Sequence, residues 1–244
     1  MSTVGLVEEC LQDPPQVHKG IATGVWATQR TCYDFILSKV TDGSTTLETG
    51  LGVSTVLFAR LGCSHTCVVP AQVEIDNVTA YFHERGIEHE NVRFVTGFSD
   101  EVLPRLKIDP VDLFLIDGAH GYPAPIIDWF YGAQHLRRGG TLVLDDIQLR
   151  QVQALDAFLQ KDPRWVELSR TDKWVAYRRE SEGSLREAER KQPAFSAPDS
   201  LRDQILQTTE TALRDAKTVA RKVKYRLRRW QGNRRRWPLS RGRP

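Results

Sequence analysis

The chain has 244 residues, 40% of them apolar and 27% charged. That is enough to bury a sizeable core in one or two domains, and it excludes a wholly disordered chain. No uninterrupted apolar run reaches ~18 residues, so no bilayer-spanning helix is expected. The opening MSTVGLVEECLQDPP has no basic stretch ahead of an apolar core, so no secretion signal is expected either. Four irregularly spaced cysteines (Cys10, Cys32, Cys63, Cys67) do not form a disulfide framework, and Cys63 and Cys67 lack a second ligand pair for zinc. A cytoplasmic setting fits this usage. The formal charge of +3 conceals an asymmetry: residues 1–182 carry a net −8 and residues 183–244 a net +11.

In chain order, residues 1–44 read as an N-terminal helical cap, with a helix from about Thr28 to Val40; Trp26 and Tyr33 belong either to the core or to a cover over a ligand. Strands and helices then alternate over 45–180. The pattern predicts strands at Thr45–Glu48, His65–Val69, Val92–Val95, Val111–Ile116 and Thr141–Leu144. Helices are predicted at Ser54–Leu61, at Val73–Arg85 with Ile75, Val78 and Phe82 on one face, in a turn at Glu101–Leu106, at Ile126–Leu136 and at Leu149–Leu159. Short apolar strands alternating with helices imply a parallel sheet covered on both faces. The last two strands, Trp165–Leu168 and Trp174–Tyr177, are too close for a crossover helix and must form an antiparallel hairpin. The predicted fold is α/β and Rossmann-like, a mostly parallel seven-stranded sheet closed by that hairpin.

Ligands of open α/β sheets sit outside the carboxyl ends of the strands. Those ends are polar and glycine-rich here. Glu48-Thr49-Gly50-Leu51-Gly52-Val53-Ser54 follows the first strand; its glycines permit a tight turn, and the helix start offers free N–H groups. Thr55 stands where a full G-x-G-x-x-G would have its last glycine. A carboxylate at Glu48 repels a pyrophosphate but suits a ligand carrying an amine, a sulfonium or hydroxyls.

Glu48-Thr-Gly50-Leu-Gly52, the sheet with its closing hairpin, and the phrase VDLFLIDGAHGYPAPIIDW…LRRGGTLVLDDI resemble the class I S-adenosylmethionine-dependent methyltransferases over roughly 45–180. More narrowly, they are similar to the macrocin- and mycinamicin-type sugar O-methyltransferases. The resemblance implies S-adenosylmethionine as cofactor, with Glu48, Gly50 and Gly52 at its methionine end and Ser54, Ser99 and Asp117 among its contacts. It also implies a small-molecule or glycolipid acceptor. Relatives end the second strand with an acid that binds the ribose hydroxyls, where this chain has Val69; Glu74 is the nearest substitute, or simply a helix N-terminal carboxylate. Ser99 lies in the stretch that abuts adenine in relatives, and also suits a helix N-cap.

Asp117 ends the fourth strand, and Asp145 and Asp146 end the fifth. Neighbouring strands lie about 4.8 Å apart, so these acids are expected to converge. One reading makes them ligands of Mg²⁺ or Mn²⁺, with one of Asp145 and Asp146 pointing away to orient the other. The other makes them caps of the turn and helix that follow. His120, three residues after Asp117, matches the base position of the macrocin-type enzymes. An imidazole titrates near neutral pH and suits removal of an alcohol proton during in-line methyl transfer. Tyr122 belongs to the acceptor pocket or to packing, and His65, His83, His89 and His135 are read as structural.

Residues 181–200 read as a linker, and 201–244 as a basic amphipathic helix and tail bearing Trp230 and Trp237. An anionic membrane surface is the favoured partner for this tail. Packing on the body or a second copy is the main alternative, and nucleic acid is disfavoured because the body is acidic. The function expected is O-methyl transfer to a hydroxyl of a sugar, glycolipid or secondary metabolite; the alternative is a catalytically silent scaffold that keeps the fold.

Overall fold

The computed structural model describes residues 3–20, 27–182 and 185. The chain divides into two units, Met1–Ser196 and Ala197–Pro244, and every described residue lies in the first. Trp26, most of the expected linker and the expected basic helix with Trp230 and Trp237 lie outside the described residues.

Seven strands form one sheet: β1 (Thr45–Thr49), β2 (Ser64–Val69), β3 (Val92–Thr96), β4 (Val111–Ile116), β5 (Leu136–Leu144), β6 (Trp165–Arg170) and β7 (Val175–Arg179). Their order is β3-β2-β1-β4-β5-β7-β6. β1 to β5 are parallel, and β7 runs antiparallel to both β5 and β6. The direction of neighbouring connections reverses between β1 and β4, which opens a crevice there at the strands' carboxyl ends.

Both faces of the sheet's centre are buried, which explains why β4 reads as an almost continuous apolar run. Leu113 and Leu115 enter one core, under α1 (Thr3–Gln12), α2 (Arg30–Leu37), α3 (Val53–Arg60) and α4 (Gln72–Glu84). Val111, Phe114 and Ile116 enter the other, under α5 (Ser99–Val102), α6 (Ala124–Gly132) and α7 (Arg150–Leu159). Ile75, Val78 and Phe82 are all buried on α4, as its periodicity predicts. Leu185 is also buried in the second core.

Two boundaries differ from the sequence reading. The helix expected to run to Leu136 stops at Gly132, where a Cβ would lie 2.4 Å from Phe114 Cζ. The chain then turns through His135, which is therefore not helical, and the buried Arg179 guanidinium donates to the carbonyls of Ala133, at 3.0 Å, and Leu136. Leu136 pairs with Val111, so β5 begins five residues earlier than expected, with an irregular register before Leu113. Similarly, α2 spans only Arg30–Leu37 instead of 28–40. Thr28 lies ahead of it, its N–H donating to the Tyr33 hydroxyl at 3.1 Å.

Candidate functional site

The carboxyl ends of the parallel strands surround a cleft of about 560 Å³. A larger groove of about 830 Å³ runs past Arg60, Tyr81 and Arg85 on the outer helices; it touches none of those strand ends, so its size does not make it the site. The cleft floor is stitched across strands, with Gly50 N–H donating to Val68 O (3.1 Å), Asp117 N–H to Thr49 O (3.0 Å) and Asp145 N–H to Ile116 O (3.1 Å). Gly50 is required there: its φ is +96°, and a Cβ would lie 2.1 Å from Asp117 O. Gly50, Asp117, Ser99, His120, Asp145 and Asp146 all line this cleft.

Glu48 and Ser54 point elsewhere. Strand alternation turns Glu48 under α3, fully buried, where one carboxylate oxygen accepts from Ser54 and the other from Thr55 Oγ1 at 2.7 Å, with His65 Nε2 at 3.2 Å. Thr55, in the place of a third glycine, also accepts from the N–H of Gly52 at 3.1 Å. The departure from the full glycine pattern thus has a use: a hydroxyl there ties the turn to the buried acid. His65 does more than begin a strand, because its Nδ1 reaches Thr46 Oγ1 at 2.8 Å.

At the ends of β4 and β5, His120 Nε2 lies 2.9 Å from Asp146 Oδ2 and 4.0 Å from Asp117 Oδ1. These three residues bring a donor atom each within 4.8 Å of one another. Asp145 is nearly buried and has another role, its Oδ1 accepting from the Thr28 hydroxyl at 2.5 Å. Asp146 sits at φ 55°, a left-handed conformation that aspartate tolerates better than most residues. Neither acid caps the following helix, whose N-cap is Leu149. Burial, joined by repulsion from Asp145, Glu48 and Asp146, holds the Asp117 carboxyl well above the usual carboxylate range. Burial also raises Asp145, against the lowering effect of the Thr28 hydroxyl and Lys173.

Several cleft groups escaped the sequence reading. Lys173 comes from the β6–β7 turn and lies 3.4 Å from Asp146 Oδ1 and 3.9 Å from Asp145 Oδ2. His18 pairs with Glu74 at 2.8 Å beside the core-facing Val69. Ser99 opens α5 without capping it. Beside it lies Asp128 of α6, 1% exposed, whose carboxyl is pushed up to about 6 by burial, with the Ser99 and Thr49 hydroxyls opposing the shift. A lone acid directly after an apolar pair and before a tryptophan, Ile126-Ile127-Asp128-Trp129, was the available signal for that position. Lys173 had none, because its partners are separated from it by 27 residues or more.

Residues 47–147 match the sequence profile of a family described as a methyltransferase domain. Over those residues the chain is similar to a methyltransferase domain. No curated protein matches the sequence. Among solved structures it is similar to the O-methyltransferase TomG of tomaymycin synthesis from Streptomyces achromogenes, in complex with SAM, at 14% identity and TM-score 0.56, over 72% of this chain and 90% of that one. An O-methyltransferase from Bacillus cereus in complex with SAH gives 17% identity and TM-score 0.55, over 72% and 91% of the two chains. The SAH-bound methyltransferase PaMTH1 from Podospora anserina gives 16% and 0.52, over 73% and 88%. At such identities the likeness is one of fold. Among the described residues, no helix is long and apolar enough to cross a membrane.

Proposed function

We propose that this domain transfers the methyl group of S-adenosylmethionine to a hydroxyl of a small acceptor, a sugar, glycolipid or secondary metabolite, with His120 as the base. The observation that carries the reading is the imidazole of His120 in the cleft, its Nε2 2.9 Å from Asp146 Oδ2. A carboxylate on Nε2 holds the ring proton there and leaves Nδ1 as the acceptor, the same orienting logic that activates bases elsewhere. As the acceptor oxygen bonds to the methyl carbon, the carbon–sulfur bond breaks, the sulfonium becomes a neutral thioether, and the hydroxyl proton passes to His120. Alignment of oxygen, carbon and sulfur supplies much of the remaining acceleration. Tyr122, 75% exposed two residues beyond His120, and Phe98, 65% exposed on the cleft wall, offer aromatic faces to an acceptor.

The fold family implies a divalent ion on Asp117, Asp145 and Asp146. The residues present do not fit that set, since Asp145 Oδ1 is taken by Thr28 and its other oxygen faces the Lys173 ammonium. The donor atoms that do cluster include the base itself, so no step is routed through a metal. Calorimetric titration with S-adenosylhomocysteine, followed by labelled methyl transfer to hydroxyl acceptors, tests the reading. Absence of binding at millimolar ligand would leave instead a fold retained without turnover. The basic segment after Ser196 is proposed to hold the domain at an anionic membrane surface. A chain ending at Ser196, which keeps the buried Leu185, should then lose cosedimentation with anionic vesicles.

A further inference from the structure

We propose that Lys173 is a built-in cation of the cleft, standing in for a divalent ion beside the acid pair, so that methyl transfer proceeds without added metal. The inference rests on the methyl-transfer reading of the same site.

Lys173 is not a drifting surface lysine. Its backbone is pinned from both sides: its carbonyl accepts from Ile147 N–H at 2.8 Å, and its own N–H and that of Trp174 both donate to Thr171 Oγ1 at 3.1 Å. Trp174 is fully buried and donates through Nε1 to Thr31 of α2 at 3.1 Å. Among the described residues lining the cleft, Lys173 is the sole lysine or arginine.

The ammonium reaches three groups at once, namely Asp146 Oδ1 at 3.4 Å, Asp145 Oδ2 at 3.9 Å and Ala27 O at 3.2 Å, to which it donates. The other oxygen of each acid is also engaged, Asp145 Oδ1 by Thr28 and Asp146 Oδ2 by His120. All four carboxylate oxygens of the pair therefore already face a donor or a cation. A divalent ion entering on either acid would sit a few ångströms from an ammonium, and like charges at that range repel strongly where water is scarce. A hard ion also needs several free oxygen ligands. Lys173 thus acts as a positioning residue, holding Asp146 toward His120 and tying the β6–β7 turn to the segment ahead of α2.

The test is Mn²⁺ binding followed by electron paramagnetic resonance on the full chain, alone and as the Lys173→Met and Lys173→Arg variants, each checked for an unchanged melting profile. Wild type should show no saturable binding below about 1 mM. Lys173→Met should bind Mn²⁺ at least about tenfold more tightly, because the repelling charge is gone, and Lys173→Arg should behave as wild type. Methyl transfer by wild type should be unchanged by EDTA. Micromolar Mn²⁺ binding by wild type, or Lys173→Met binding no better than wild type, would overturn the proposal. S-adenosylhomocysteine titration of the same samples keeps the two readings apart. Wild type that fails to bind it defeats the methyl-transfer reading, whereas the Mn²⁺ comparison measures the lysine directly.

Discussion

Two acid-centred clusters lie within a few residues of each other along this sheet, and both bring three metal-type donors within 4.8 Å: Glu48 with His65 and Cys67, and Asp117 with His120 and Asp146. The first is closed. Its members are buried, the Glu48 oxygens are met by Ser54, Thr55 and His65, and the Cys67 thiol, pushed well above its usual range by burial, donates to Gly50 O at 2.8 Å. The second is only partly buried, opens on the cleft, and holds an aspartate at positive φ. Both set a carboxylate beside an imidazole at the same range. Satisfied polar groups in a closed interior fix a structure, whereas strained and solvent-facing ones at strand ends are free to do chemistry.

Substitutions can break this contrast. The largest effect is expected at His120: the His120→Ala chain should lose turnover by about 10²- to 10⁴-fold while binding S-adenosylhomocysteine as before, measured by single-turnover methyl transfer beside calorimetry. An unchanged rate removes its role as base. In the closed cluster the effect moves to stability. Glu48→Ala leaves three buried donors without their acceptor and should cost roughly 3 kcal/mol in urea unfolding; a loss under about 1 kcal/mol would mean that the network does not hold the glycine turn.

Asp128 sharpens the comparison, being buried like the first cluster yet lining the cleft of the second. Its folded pKa of about 6 stands above the ordinary 3.8. The folded state therefore holds its proton more tightly than the unfolded one. The cost of ionisation is absent below pH 4, grows as pH rises through 6, and levels off above that at about 2 to 3 kcal/mol. Asp128→Asn should accordingly raise stability at pH 7.5 by about 1 to 3 kcal/mol, with no gain at pH 4. Denaturation series at the two pH values check this, and an equal gain at both would refute it. The smallest stability change belongs to Asp146→Asn. Asparagine tolerates the same backbone conformation, so unfolding should shift by less than about 1 kcal/mol while methyl transfer slows. A large stability loss would make Asp146 structural like Glu48.

Much of the site was legible before the coordinates. Strand ends are marked by apolar runs giving way to Gly50, Asp117 and Asp145, and a parallel sheet gathers its carboxyl ends on one side. His120 follows from its short link to Asp117. What the sequence could not show was direction and distant partnership. Glu48 and Thr49 are neighbours, but alternation sends Glu48 under α3 and leaves Thr49 on the cleft. The apolar pattern of residues 126–136 continued past Gly132, yet the close approach of Phe114 ended the helix there.

The amino-acid order by itself determined the alternation of strands and helices, the closing hairpin and the acids at the strand ends, because these follow from local periodicity and turn chemistry. Only the tertiary structure decided which acids are satisfied inside and which face the cleft, and that Thr28 and Lys173 meet the Asp145–Asp146 pair. Those contacts join Thr28 to Asp145, 117 residues apart, and Lys173 to acids 27 and 28 residues before it, with α7 and β6 between them. Such pairings depend on how the sheet stacks its edges, which no local spacing records.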